Sequence, residues 1–491
     1  MTINKAQSGK LIIVLTLLAT TLNCKKTTDK SGGGSNTRTD KTYTTLWIPP
    51  TLNGTTFNLT LGSSTKQLRT GNVTATYGYN GNSFWGPTLI MNKGDNVQIN
   101  VTNSLADQTT VHWHGFHIPA IMDGGPHQII SAGATWSPNF QVKNNAATFW
   151  YHPHLHLKTQ EQLTKGAGGF IIVKDPMESA LALPRTYGTD DIPLVLTSRR
   201  YNTDNSFDLT TTYGDYMLTN GTPNAEISLP KQYVRFRILN AEVERSYNLG
   251  FSDNRTFFVI TNDGGLLNAP VPVTRLKLAV GERVEILVNL GSDAISSSIE
   301  MKAFNSGQIF GFPGGEPSNS GNFGSLLNNI DFSLLHINVV APTANPITAL
   351  PVTLANNVYW TNSDVTNSRT ITITGGQAGS AFTFDNNTYG FNSINQNIQL
   401  NAVEKWTIVN NNIFSHSFHI HDIQFKIISR SSGSVAAYES GWKDVVYIPL
   451  GESVSVIAKY DDFSSGVNPY MYHCHFSNHE DEGLMGQFLV E

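Results

Sequence analysis

Near its C-terminal end the chain reads Met471-Tyr472-His473-Cys474-His475, and His479 follows four residues later. A β-strand turns successive side chains to opposite faces. An extended backbone here would therefore point the Cys474 thiol one way and both flanking imidazoles the other way. The stretch predicts a strand that holds a thiolate-bound metal on one side and imidazole-bound metals on the other. Covalent bonds would join the two centres, so electrons could pass between them.

The cysteine count supports a metal role for Cys474. The chain has two cysteines, Cys24 in the N-terminal leader and Cys474. Once the leader is set aside, no internal disulfide is possible, so Cys474 cannot form a stabilising disulfide in an exported protein. Metal coordination would protect a thiol that an oxidising compartment otherwise attacks.

Composition limits the class of protein. The 491 residues are too many for one hydrophobic core and suggest three domains. Charged residues make up 14% of the chain, against about 25% in typical soluble domains. The formal net charge of −5 gives no reason to expect a nucleic-acid partner.

The N-terminus is predicted to direct export. Lys5 and Lys10 precede the apolar run 11–19, which is too short to span a bilayer as a mature helix. Residues 1–24 are interpreted as a lipoprotein-type signal peptide with lipidation at Cys24, followed by a flexible tether over 25–42. The protein would then lie in the periplasm or cell envelope, with a lipid anchor as its only membrane contact. The alternative is plain cleavage into the periplasm.

Recurring short strands predict an all-β fold. Three alternating segments end in asparagine, at 95–103, 233–240 and 404–410, and Gly-Glu opens two further similar strands at 281–288 and 451–458. The repeat spans a whole domain, so we expect three Greek-key β-sandwiches. Proline-bearing connections place the domains at 43–176, 177–343 and 344–491. The glycine-rich segment 305–325 is read as a long surface loop or, alternatively, as a substrate-side flap.

Histidines recur at a spacing of two. A random distribution of 14 histidines over 491 positions would give about 0.4 His-x-His pairs. The chain has five, namely His112/His114, His152/His154, His154/His156, His419/His421 and His473/His475. Each pair projects from one face of a strand and can serve one metal cluster.

The pairs also repeat between the two ends of the chain. Residues 150–154 correspond to 471–475, 112–115 to 419–422, and 169–173 to 487–490. If the two end domains pack with pseudo-two-fold symmetry, eight imidazoles meet at one interface. Neutral imidazoles suit copper, which stands high in the affinity series.

Four motifs carry a family resemblance: 112–115, 152–154, 416–421, and 473–475 with His479. In these motifs the chain resembles the three-domain multicopper oxidases, the group of laccases, bilirubin oxidases and bacterial cuprous oxidases. The resemblance implies cupredoxin-like sandwiches and four copper ions: one type 1, one type 2 and a type 3 pair. It implies His416, Cys474 and His479 as type 1 ligands and His112 and His419 as type 2 ligands. The implied type 3 ligands are His114, His152, His154, His421, His473 and His475.

The axial position of the type 1 site departs from many bacterial relatives. The family places this residue ten positions after the cysteine, where the chain has Leu484. Leucine cannot donate to copper, so the reduction potential should be high. The alternative is a local bulge that lets Met485 reach the metal.

Proton supply and supporting residues complete the implied site. Asp123 and Glu480 match acidic positions of the family's proton path, although a turn residue and a solvated charge are the plainer readings. Four histidines outside the ligand set are expected to be hydrogen-bonded structural residues: His117, His127, His156 and His336. His156 could instead support a ligand. Tyr151 and Tyr472 are expected to be packing aromatics.

The resemblance implies a laccase-like enzyme. It would oxidise phenols or aryl amines one electron at a time at type 1 copper, through a partly exposed His479 or His416. Dioxygen would be reduced to water by four electrons at the trinuclear cluster. The alternative is a cuprous oxidase for copper tolerance, with Cu(I) as the donor, but Asn412 and Phe414 stand where such enzymes carry Asp and Met. A copper-free scaffold protein of the same fold is the non-enzymatic alternative, and the complete ligand set argues against it.

Overall fold

The computed structural model describes residues 42–376 and 380–491. Thr42–Glu491 forms one compact unit. The predicted signal peptide 1–24, its Cys24 and the tether up to residue 41 lie outside the described residues and stay predictions. No helix among the described residues is long and apolar enough to cross a membrane.

Six β-sheets pair into three sandwiches, which confirms the all-β prediction. The first sandwich combines a five-stranded sheet with a second sheet in which two short strands share one neighbour. The first sheet has the order Thr51–Asn53, Thr88–Asn92, Gly169–Lys174, Ala147–His152 and His112–His114. The second has the order Thr74–Tyr79, Thr56–Lys66, Asn96–Asn103 and Thr135–Trp136, with Asn139–Gln141 also paired to Asn96–Asn103.

The middle sandwich has the largest sheets. One has the order Thr44–Thr45, Ala225–Pro230, Asp331–Val340, Ser298–Phe304, Tyr247–Phe251 and Leu276–Leu278. The other has the order Thr222–Pro223, Tyr216–Thr219, Asp191–Arg199, Tyr233–Asn240, Arg283–Asn289, Phe257–Asn262 and Gly265–Val273. The first strand of the described chain thus pairs with the middle sandwich, through Thr44 and Ala225.

The last sandwich carries the cysteine motif. One sheet has the order Phe382–Phe384, Asn367–Gly375, Val403–Asn410, Ser453–Lys459 and Phe425–Arg430. The other has the order Gln396–Ile398, Met485–Val490, Ser465–Cys474, His416–Ile420 and Val445–Ile448. Each sandwich encloses its own apolar core, and a fourth apolar cluster around Trp85 and Trp150 joins the first sandwich to the middle one.

Helices are short and lie at the sheet ends. The α-helices are Thr159–Lys165, Pro176–Ser179 and Ser477–Asp481, and the 3-10 turns are Ala120–Met122, Gly321–Phe323 and Ala437–Glu439. The Asp175 carboxylate caps the second α-helix by accepting from the Glu178 amide at 2.7 Å, and Pro176 fits the first helical position.

The three predicted strands that end in asparagine have a common structural reason. Asn103, Asn240 and Asn410 are buried, and each side-chain oxygen accepts from the amide two residues later, at 2.9–3.1 Å. Each side-chain nitrogen donates to a carbonyl of a neighbouring segment. An asparagine can turn the chain at the strand end and satisfy buried backbone groups at once, so the repeat recurs in every sandwich.

One predicted correspondence between the end sandwiches is wrong by one position. Tyr151 pairs across the sheet with Gly169, and Tyr472 pairs with Gly486. In both places the tyrosine ring lies where a side chain on the glycine would have to be. The segment 169–173 therefore corresponds to 486–490 and not to a segment that starts at Gln487. Both tyrosines pack in apolar cores, as expected.

Candidate metal centres

The strand Ser465–Cys474 divides its side chains between two environments. Cys474 lies directly opposite Phe418 on the neighbouring strand, and His473 lies opposite His419. Directly opposed residues share a face of the sheet, and successive residues alternate. Cys474 therefore faces the core of the last sandwich, whereas His473 faces away from it, as the tripeptide predicts.

His416, Cys474 and His479 form a group that we call the thiol cluster. The Cys474 sulfur lies 3.5 Å from His416 Nδ1 and 3.6 Å from His479 Nδ1. One soft sulfur with two imidazole nitrogens is the donor set of a blue-copper site. These three side chains could hold one metal ion.

The expectation that His416 or His479 is partly exposed is wrong. Their exposed fractions are 0% and 3%. The Phe382 ring covers both, with centroids 5.0 Å from His416 and 4.2 Å from His479. The glycine-rich segment adds to this cover, because the Gly311 carbonyl accepts from the Ser415 amide at 3.2 Å.

Eight buried imidazoles meet between the first and last sandwiches and are called the imidazole cluster. They are His112, His114, His152, His154, His419, His421, His473 and His475. Their nitrogens form three groups that could each hold an ion: His114 with His152 and His475, His154 with His421 and His473, and His112 with His114 and His419. Each group draws on both ends of the chain.

The hydrogen bonds of two histidines fix which nitrogen carries the proton. His473 Nδ1 lies 3.0 Å from the Cys474 carbonyl oxygen, and His421 Nδ1 lies 2.7 Å from Asp123 Oδ2. A carbonyl and a carboxylate can only accept, so both Nδ1 atoms are protonated. The two Nε2 atoms then present lone pairs to each other at 3.2 Å. A cation between them removes this repulsion, so these residues fit a metal ion.

The hydrogen bonds of His112 and His419 fit the binding of another metal ion. His112 Nδ1 and His419 Nδ1 donate to the carbonyl oxygens of Asp123 and Asp444, at 2.9 and 2.7 Å. Their Nε2 atoms are buried and have no hydrogen-bond partner among the described residues. A buried acceptor without a partner costs free energy, and a metal ion supplies that partner.

Burial disfavours the charged forms of several ligands in both clusters before metal binds. Burial lowers the pKa of His473 and of His416 to about 3, and it lowers the pKa of His154 well below the usual range with help from neighbouring imidazoles. Burial also raises the pKa of the Cys474 thiol to about 12. The imidazoles are thus ready as neutral ligands, whereas the thiol must release a proton when it binds a metal.

Two carboxylates connect the end sandwiches behind the imidazole cluster. Asp123 places Oδ1 3.3 Å from His112 Nδ1, besides its contact with His421. Glu480 places Oε1 3.1 Å from His154 Nδ1 and accepts a hydrogen bond from Thr159 at 2.7 Å. Both residues are 1% exposed, so the interpretation of Glu480 as a solvated charge is wrong.

Comparison with known proteins identifies the family. Models of multicopper oxidase domains match residues 62–178, 190–298 and 362–491. A multicopper oxidase of Staphylococcus haemolyticus is 32% identical over 428 residues, which cover 85% of either chain. The chain belongs to the multicopper oxidase family.

Two further relatives show how widely the fold is used. The cell division protein FtsP of Shigella dysenteriae serotype 1 is 30% identical over 457 residues, 91% of this chain and 92% of that protein. The solved structure of a laccase-like multicopper oxidase, CueO from an Ochrobactrum species, superposes with a TM-score of 0.81. It is 29% identical, and the match covers 91% of this chain and all of that one.

Multicopper oxidases bind four copper ions and are oxidoreductases that use dioxygen. The thiol cluster offers one copper site. Two of the three groups of the imidazole cluster share His114, and His112 and His421 also lie together in one possible metal group, so the three groups form one connected site for several ions.

Leu484, the residue predicted for the axial position, is buried. Leu484 packs in the same apolar core as Cys474, and the Cys474 amide donates to its carbonyl at 3.1 Å. Met485 lies opposite His473 on the neighbouring strand, so it shares the face that points away from the thiol cluster. This register supports Leu484 over Met485 as the residue beside the thiol cluster.

Asp444 is a site residue that the sequence analysis missed. It is fully buried, and its Oδ1 lies 3.1 Å from His114 Nε2 while its Oδ2 accepts from Arg283 at 2.7 Å. Burial raises the pKa of Asp444, and Arg283 opposes that shift. Asp444 thus ties the imidazole cluster to the middle sandwich. In the structure Asp444 is the counterpart of Asp123, because their carbonyl oxygens accept from His419 and His112. The two aspartates lie 25 and 11 residues after these histidines, so the sequence repeat did not reveal the correspondence.

The remaining histidines have mixed roles. His117 lies 2.8 Å from Asp422, and His127 lies 2.5 Å from Gln487 Oε1, as expected of hydrogen-bonded structural histidines. The Nδ1 atoms of His156 and His336 have no hydrogen-bond partner among the described residues, and His336 Nδ1 lies 3.9 Å from Glu300 Oε1. They pack instead against aromatic rings, His156 on Tyr389 and His336 on Tyr43.

Proposed function

We propose that this chain is a laccase-like oxidase that takes electrons singly from phenols or aryl amines. The observation that carries the proposal is the tripeptide His473-Cys474-His475, which presents Cys474 to the thiol cluster and both histidines to the imidazole cluster. Copper bound in these clusters would accept single electrons from the donor and deliver four to dioxygen.

The proposed ligand assignment follows the three groups of nitrogens. His416, Cys474 and His479 would hold the type 1 ion. His112 and His419 would hold the type 2 ion, with His114, His152 and His475 on one type 3 ion and His154, His421 and His473 on the other. Asp123, Asp444 and two carbonyl oxygens orient the imidazoles from behind, as outer partners of metal ligands commonly do.

Asp123 and Glu480 are proposed to deliver the four protons that dioxygen reduction consumes. Burial, reinforced by Asp481, raises the pKa of Glu480 well above its usual range. Burial thus favours the protonated form of Glu480, and its Oε2 atom has no hydrogen-bond partner among the described residues. Asp123 Oδ1 is likewise without a hydrogen-bond partner. Both groups can pass protons to the buried cluster without exposing it to bulk water.

An organic donor is favoured over Cu(I). Asn412 uses its side-chain oxygen to accept from the Ile413 amide at 2.8 Å, and the Phe414 ring packs against Phe323. Neither offers the thioether or carboxylate that would bind Cu(I) beside the thiol cluster. The similar Ochrobactrum enzyme is described as active towards lignin model compounds and lignosulfonate, which are aromatic donors.

A donor panel tests the proposal. The copper-loaded full chain is incubated in air with a phenol, an aryl diamine, bilirubin and Cu(I), and oxygen uptake is followed with an electrode. We expect the phenol or the diamine to be the fastest donor. Faster turnover of Cu(I) than of every organic donor would replace the proposal with a cuprous oxidase. No oxygen uptake with any donor would favour a copper-free scaffold role; one relative, FtsP, is named as a cell division protein.

Export with lipid attachment at Cys24 is part of the proposal. It rests on the basic and apolar pattern of residues 1–24 and on the polar tether that follows. Mass spectrometry of the mature N-terminus distinguishes the two outcomes. An acylated Cys24 is expected, whereas an unmodified N-terminus would indicate plain cleavage into the periplasm.

A further inference from the structure

A cavity of about 230 Å³ lies between the middle and last sandwiches, on the side of the thiol cluster. The residues that matter for its chemistry are Ser246, Lys277, Phe312, Arg430, Tyr438 and Tyr447. Three carboxylates also line the cavity, and each is paired with a cation: Glu282 with Lys443, and Glu439 and Glu452 with Arg430. Phe312 belongs to the glycine-rich segment 305–325, so that segment forms part of the cavity wall. None of these residues is a candidate copper ligand.

The cavity wall is connected to the thiol cluster by a short path. The Tyr447 hydroxyl donates to Ser415 Oγ at 2.8 Å, and Ser415 directly precedes His416. Tyr447 also lies opposite Ser417 across the sheet. A donor against the Tyr447 ring would therefore be separated from His416 by one hydrogen bond and a few covalent bonds. This matters because His416 and His479 are themselves buried under Phe382.

The side chains that line the cavity favour an aromatic ligand. Phe312 and Tyr447 meet edge to face with their centroids 6.1 Å apart, and Tyr438 lines the same cavity. Aromatic walls of this kind favour an aromatic ligand through offset or edge-to-face contact.

Two polar groups in the cavity lack partners. Ser246 is 1% exposed and its Oγ has no hydrogen-bond partner in the described residues. Lys277 Nζ lies 5.5 Å from the Phe312 ring centroid, and no described carboxylate comes within ion-pair distance of it. Arg430, by contrast, is already paired with Glu439 at 2.6 Å and Glu452 at 2.7 Å. One cation and one hydroxyl thus remain available for a ligand.

We infer that this cavity binds the electron donor, and that the donor is a phenol carrying a carboxylate. The carboxylate would accept from Lys277 and Ser246, and the ring would lie against Phe312 and Tyr447. The inference rests on the proposed function and narrows its substrate class. Each phenol loses one electron and its phenolic proton and leaves as a phenoxyl radical. Four such donors convert one dioxygen into two waters.

Binding is tested without turnover. The probe is 4-methoxycinnamate, which has no phenolic proton to lose, titrated by calorimetry into the copper-free full chain and, separately, the copper-loaded chain. Lys277→Met is expected to weaken binding about tenfold by removing one charged hydrogen bond, and Ser246→Ala should weaken it less. Lys302→Met is the matched control, because Lys302 Nζ also lies over a phenyl ring, 5.7 Å from Phe304, outside the cavity.

Steady-state kinetics provide a second test of the role of Lys277. With 4-hydroxy-3-methoxycinnamate as donor, Lys277→Met should raise KM about tenfold with little change in kcat, while the KM for the methyl ester stays as in the wild type. Equal effects on the acid and the ester, or a calorimetric Kd unchanged by Lys277→Met, would overturn the inference. Turnover of uncharged phenols would then persist, so the proposed function would survive; its own failure would be loss of turnover with every organic donor.

Discussion

The two end sandwiches share one scaffold but differ on one face. In the first, His152 lies opposite His112, and in the last, His473 lies opposite His419. On the other face the last sandwich carries His416, Cys474 and His479. The corresponding positions of the first sandwich hold Thr109, Pro153 and Lys158.

This difference separates two kinds of metal centre. The imidazole cluster needs both sandwiches, because each of its three groups takes nitrogens from both. The thiol cluster is built by the last sandwich alone, within its own core. A duplicated strand pair can thus contribute twice to a shared site while only one copy gains a second site on its opposite face.

The largest expected effect on activity comes from removing the metal site of the thiol cluster. Cys474→Ser should abolish the blue absorption of the copper–thiolate bond and turnover of organic donors, since a hydroxyl is a poor ligand for this ion. Copper content should fall from four ions to three per chain. Absorption spectroscopy and elemental analysis measure both.

Pro153→Ser is the matched control, because Pro153 takes the place of Cys474 in the first sandwich. It should keep the blue band and all four ions. An unchanged visible spectrum in Cys474→Ser would remove Cys474 from the metal site.

The next effect concerns the carboxylates that link the sandwiches. Asp123→Asn and Glu480→Gln should each lower kcat by roughly 10²–10⁴-fold, because proton supply becomes limiting, with copper content retained. A solvent isotope effect that grows in both variants would distinguish proton delivery from misplacement of a ligand. Glu482→Gln is the control, since Glu482 contacts none of the imidazoles in the described structure; equal losses in all three variants would contradict the assignment.

Asp444 offers a test of how the middle sandwich supports the site. Asp444→Asn removes the nearer of two carboxylates that pair with the buried Arg283 guanidinium and leaves Asp263 at 3.7 Å. It should destabilise the fold by up to about 3 kcal/mol. Denaturant unfolding of the copper-free chain measures this change. Adding Arg283→Met should restore part of the loss, because the guanidinium charge is then removed. A double variant as unstable as the sum of both single changes would show that the two charges do not interact.

Much of the fold and of the ligand set can be predicted from the sequence. The spacing of two in the histidine pairs, the apolar alternation and the terminal asparagines each report a local rule of strand geometry. The contacts of Asp444 and the burial of His479 could not be predicted in this way. They depend on which segments of different sandwiches pack against each other. The Phe382 ring and the glycine-rich segment reach the thiol cluster through tertiary packing that has no periodic signal.

A smaller effect is expected at the axial position. Leu484→Met should lower the reduction potential of the type 1 site by tens of millivolts, because a thioether donates electron density to Cu(II). Redox titration of the blue band measures the shift. Met485→Leu, on the opposite face, should leave the potential unchanged. A shift in Met485→Leu larger than in Leu484→Met would mean that Met485 reaches the metal after all.

The smallest effect tests the contact between the end sandwiches at their rim. Burial opposes a charge on His117, but Asp422, Asp462 and Asp461 outweigh it and raise the pKa of His117 to about 9. A raised pKa means that the charged histidine stabilises the fold below its usual pKa of about 6.5. That contribution is lost as the pH rises through about 9.

His117→Gln should therefore lower Tm by roughly 1–2 °C at neutral pH and have little effect near about pH 10. Thermal unfolding of the copper-free chain across this range measures the difference. His127→Gln is the control, because His127 contacts Gln487 and no described carboxylate, so its effect on Tm should not vary in this way. If the His117→Gln difference grows as the pH rises, the carboxylates do not hold His117 in its charged form. The imidazole cluster would then be the main polar link between the end sandwiches.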